Sequence, residues 1–123
     1  MTEMEILKAL ADLKGDSCKK ATNSDTYAVF DSEGQRLIEW QRDEALAWTQ
    51  YLVATKLLFS RDSLIPLIEK EIFQKPEEHK FIIELAREIN PEEHYRVTPV
   101  EMLIASPYRL KIAILKTTGR WKQ

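Results

Sequence analysis

Glycine is scarce in this chain: three residues in 123. That scarcity argues against the Gly-rich cradles that hold phosphates, and against long irregular loops. Neither a Gly-x-Ser-x-Gly elbow, a Walker loop, a dinucleotide-binding fingerprint, zinc-finger spacing nor His-Glu-x-x-His occurs. Cysteine is limited to Cys18, so no intrachain disulfide can form and a reducing compartment suits the chain. Long apolar runs are missing too. The richest stretch, 45–59, is interrupted by Thr49, Gln50, Thr55 and Lys56 and is too short and polar to span a bilayer. The first residues lack a basic segment followed by an apolar one, so no signal peptide is expected. These absences make the cytoplasm the expected location and a membrane an unexpected partner.

What is present is ordinary for a globular protein: 44% hydrophobic and 31% charged residues. A chain of this length is expected to form a single helical domain over 1–123. The formal charge of −2 excludes a globally basic nucleic-acid binder. The charge is unevenly spread, however. Residues 95–123 carry six Lys/Arg and one Glu, net +5, whereas 62–94 carry four Lys/Arg and nine Asp/Glu, net −5. A basic C-terminal helical segment, 95–123, therefore stands out, and such segments favour anionic surfaces.

Helix signals dominate. Thr2 to Glu5 forms a capping box before an apolar period at Met4, Ile6, Leu7, Leu10 and Leu13, and Gly15 closes a helix over 3–14. Residues 15–25 lack a period and read as a loop. Thr26–Phe30 and Arg36–Trp40 read as a small β-hairpin turning at Asp31–Gly34, because glycine is poor inside a helix. Asp43 caps a helix extending to about Phe59. It is apolar nearly all round and is therefore expected to be the central element, with Leu52 in the core. Asp62 or Ser63 starts a helix with Leu64, Ile65, Leu67, Ile68, Ile72 and Phe73 as its stripe. Pro76 opens another, with Phe81, Ile82, Leu85, Ala86 and Ile89 inward. Thr98-Pro-Val-Glu101 is a second capping box, and Ser106-Pro107 starts a last helix closing at Gly119. The fold class is thus mainly α: a compact bundle of five or six helices with one small β-hairpin at about 26–40.

Candidate chemistry is thin. Pro-Glu-Glu-His occurs at 76–79 and 91–94 and holds both histidines. Helical di-metal sites use Glu-x-x-His, but here proline lies three residues before each histidine. On one continuous helix the imidazoles would be roughly 22 Å apart. Helix-start chemistry explains the motif better, and neither a metal nor another cofactor is expected. Cys18 lies beside Lys19 and Lys20, which could lower its pKa, but no local base or oxyanion site accompanies it. The pattern leans against an enzyme without excluding one assembled from residues distant in sequence.

The expected function is therefore binding a protein partner, or self-association, without catalytic chemistry. Arg109, Lys111, Lys116, Arg120, Trp121 and Lys122 are the candidate contact residues. Trp121 lies beyond the capping glycine between two cations, placed either to dock on a partner or to fold back on the core. The alternative is a nucleic-acid-associated accessory protein that uses the C-terminal helices as a helix-turn-helix. Against this, Ser-Pro is a poor match to the usual turn, and Lys111 lies about 160° from Lys116 around the helix. A third reading, an enzyme or metal-binding protein, rests on the Pro-Glu-Glu-His pair alone.

Overall fold

A computed structural model describes residues 1–55 and 60–122. The architecture is mainly helical, with six α-helices and one two-stranded antiparallel sheet among the described residues. The chain divides into two compact units. One is Thr2–Lys56, and the other is Leu57–Gln123 together with Met1.

The N-terminal unit begins with α1, Glu3–Lys14, which Thr2 caps by accepting from Glu5 N. It buries Ile6, Leu7, Leu10, Ala11 and Leu13. Gly15 ends it at φ 98°, and a Cβ there would meet the Ser32 Cβ at 2.9 Å, so the stop needs glycine twice over. Strand β1, Ser17–Lys20, then pairs antiparallel with β2, Tyr27–Phe30, Cys18 opposite Val29. The expected hairpin is present in looser form. Asp31 Oδ1 accepts from Glu33 N and Gln35 N, and the returning chain meets β2 through Phe30–Arg36 and Tyr27–Gln41 bridges. The regular ladder instead forms on the other side of β2, with residues read as loop. Ser-Cys-Lys-Lys has no β-branched residue and no apolar alternation, so only its partner strand makes it a strand.

Helix α2, Glu44–Ala54, starts at Asp43 as expected. Its described residues are not enclosed on every side. Ala47, Trp48 and Tyr51 face inward, but Leu46 and Val53 are exposed and Leu52 is only half-buried. An apolar circumference here does not mean burial on every side. Leu57, Leu58 and Phe59, expected at its end, lie outside the described residues.

In the C-terminal unit, α3, Arg61–Ile68, is capped by Ser60 rather than by Asp62 or Ser63, and continues as a π-helical segment, Glu69–Phe73. Helix α4 is Glu78–Ile89. After a 3₁₀ turn, His94–Arg96, come α5, Pro99–Leu103, and α6, Pro107–Thr117. Both proline starts hold: Thr98 closes its capping box with Glu101, and Ser106 accepts from Arg109 N. Helix α6 is the buried one. Leu110, Ile112, Ala113, Ile114, Leu115 and Thr117 are all inside, against α4 and α3. Ile65, Phe73 and Ile82, expected inward, are exposed.

Candidate functional site

Burial of α6 reshapes the basic segment. On this helix only Tyr108 and Arg109 are exposed, while Lys111 and Lys116 are half-buried. Lys116 Nζ lies 2.5 Å from Glu88 Oε1 on α4 and 5.7 Å from the Trp121 ring centroid. The last residues turn back: Arg120 N and Trp121 N both donate to Leu115 O. Arg120 and Trp121 are half-buried, and Lys122 is exposed. Lys111 Nζ lies over its neighbour Tyr108 at 5.9 Å. Of the six expected contact residues, the structure thus brings Lys116 and Trp121 together. Arg109 belongs to a different surface, at the start of α6. Helix α6 is enclosed over most of its length, so Tyr108 and Arg109 at its start are its exposed side chains.

The sequence charge contrast of +5 against −5 is also partly spent inside the unit. Helix α6 packs mainly on the acidic α4, and Lys116–Glu88 joins them directly.

The surface that sequence reasoning missed is α5. Its inward side carries buried Ala105 and half-buried Met102. Arg61, the first residue of α3, anchors it: Nη1 donates to Ala105 O at 2.8 Å and Nη2 to Met102 O at 3.4 Å. The guanidinium thus ties the end of α5 and the residue that follows its cap to the start of α3. Pinned from inside, α5 turns Val100, Leu103 and Ile104 outward, 64%, 67% and 74% exposed. Val100 and Leu103, at i and i+3, share one helix face, and Ile104 follows as the C-terminal cap. Tyr95 and Tyr108 are exposed on either side in the chain. Next to Ile104 is a recess of about 370 Å³ lined also by Ile89, Ala105, Ser106, Glu101 and Arg109. The spacing was readable, but it lay inside a segment dominated by its charge.

Other candidates disperse. His79 is exposed on the first turn of α4, and His94 lies in the 3₁₀ turn beside Tyr95. No group of three or more His, Cys, Asp or Glu that could hold a metal ion exists among the described residues. The expected lowering of the Cys18 pKa is not found. Burial and then the Glu44 carboxylate push the thiol up, outweighing Lys8. Lys19 instead lies over Phe30, and Lys20 pairs with Asp25 at 3.3 Å. Neither family models, curated proteins nor solved structures match this chain.

Among the described residues no helix is long and apolar enough to cross a membrane.

Proposed function

We propose that the protein works by binding a protein partner, with the outward face of α5 and the start of α6 as the docking surface. The observation that carries this reading is the trio Val100, Leu103 and Ile104, exposed together on one short helix and its C-terminal cap. Large apolar side chains grouped on a surface mark contact sites far more often than the same residues scattered singly. The i, i+3, i+4 arrangement is the one that helices use to enter an apolar groove. Exposed Arg96 and Arg109 flank the face and favour a partner with an acidic rim. Contact is thereby shifted from the expected tail residues toward α5, with Arg109 retained. Arg120, Trp121 and Lys122 become an edge that steadies α6. A cytoplasmic location remains part of the proposal, in keeping with a lone cysteine.

The test is affinity capture with two baits, wild type and Leu103→Glu, followed by binding measurements on the purified partner. The reading expects a partner held by wild type and lost by the variant at unchanged melting temperature. Equal capture by both baits contradicts it.

A further inference from the structure

The docking face also has the make-up of a surface that fits itself, and we propose that α5 pairs with α5 of a second copy of this chain about a two-fold axis. This rests on reading α5 as a docking face and names its occupant. The recess beside Ile104 has an apolar floor, Ile89 and Ala105, and groups of opposite sign on its lining, Glu101 and Arg109. These two are not ion-paired with each other or with any other described residue. The Glu101 carboxylate is held in place, because Oε1 accepts from both Thr98 N and Thr98 Oγ1. Arg109 Nη1 donates to the Ile89 carbonyl at 3.5 Å.

In a two-fold contact, residue i of one copy meets j of the other while j meets i. A face that carries a carboxylate and a guanidinium beside one apolar ridge satisfies both contacts at once. Glu101 then meets Arg109 of the second copy, Arg109 meets its Glu101, and each ridge of Leu103 and Ile104 lies toward the opposite recess. An unrelated partner would have to supply this two-sign pattern, whereas the chain already carries it. One short helix with its flanks is small beside the roughly 800 Å² that each side of a standard specific interface buries. The pair is therefore reversible and concentration-dependent.

Sedimentation velocity on the full chain, from micromolar to near-millimolar concentration, tests this. Wild type is expected to shift from monomer to dimer. Leu103→Glu and Arg109→Glu are expected to stay monomeric. Arg109→Glu places an acid in the first turn of α6, where it suits the helix dipole, so folding is retained. Glu101→Arg is also expected to be monomeric, and mixing it with Arg109→Glu should recover dimer, because both cross-pairs are again opposite in sign. Should the loss of the capping carboxylate unfold Glu101→Arg, Glu101→Gln keeps an acceptor for Thr98 and should weaken pairing on its own. A wild type that stays monomeric throughout overturns the proposal, as does a dimer indifferent to Arg109→Glu. A monomeric wild type that still holds another protein through Leu103 sinks self-pairing alone. Indifference of every contact to Leu103 sinks the docking face as well.

Discussion

Tyr51 is one of the most deeply buried side chains of the N-terminal unit, and its hydroxyl donates to the buried carboxylate of Asp16. Lys14 Nζ, 3.5 Å from Asp16, completes the charge balance. Removing the hydroxyl leaves a buried carboxylate short of a donor, so Tyr51→Phe should cost about 1–3 kcal/mol in urea unfolding. The pH dependence has a defined sign. Burial, then the hydrogen bond to Asp16 and its charge, raise the Tyr51 pKa, so the folded chain holds the phenolic proton more tightly than the unfolded chain. This contribution is complete below the ordinary tyrosine value of about 10 and is lost as pH rises from there toward the raised value. Stability should fall above about pH 10 in wild type and fall less steeply in Tyr51→Phe. Nothing in the sequence joined Asp16, between α1 and β1, to Tyr51 on α2, 35 residues away. Local signals, by contrast, were legible: Thr2, Asp43, Thr98 and Ser106 all cap where their spacing predicts.

At the scale of elements, hydrophobic pattern overstated how fully a helix is enclosed. Residues 45–59 hold more apolar residues, but α6, in which basic and apolar residues are mixed, buries more of its side chains than the described part of α2. Pattern gives the amount of apolar surface. Burial depends on how fully the neighbours cover it, and α4 and α3 cover α6 along most of its length, whereas the neighbours of α2 cover only the side of Ala47, Trp48 and Tyr51. Leu115→Ala should therefore cost about 2–5 kcal/mol in chemical denaturation. Leu52→Ala, on half-buried α2, should cost less than Leu115→Ala. Equal costs would restore α2 as a core helix. The small sheet was half legible for a similar reason: the Asp31–Gly34 turn is written in the sequence, whereas β1 depends on a partner strand. Arg61 has a role no motif announces. Its guanidinium holds the carbonyls of Met102 near the end of α5 and of Ala105 just beyond it, so Arg61→Met should loosen α5 and weaken the proposed docking without removing any contact residue. Faster amide exchange over 99–105, with the rest of the chain unchanged, is the expected reading.

For the molecule as a whole, charge and apolar exposure point to different ends of the same segment. The basic tail looked like the contact surface because its cations were counted along the chain, where Glu88 cannot be seen beside Lys116. With Lys116 and Trp121 drawn together beside α4, five of the exposed large apolar side chains among the described residues, Tyr95, Val100, Leu103, Ile104 and Tyr108, fall within 95–109. The mainly helical class, the caps and the helix order were open to reading; the proposed contact surface was not, because it depends on which face of a five-residue helix Arg61 turns inward. The most direct test is the dissociation constant of Leu103→Glu for the protein that wild type binds, be it a second copy or another chain. Loss of a central apolar anchor should weaken binding by about 2 kcal/mol or more, roughly thirtyfold, at an unchanged melting temperature. An unchanged dissociation constant, with binding lost instead in Arg120→Ala/Trp121→Ala, would return the contact surface to the tail and contradict the account.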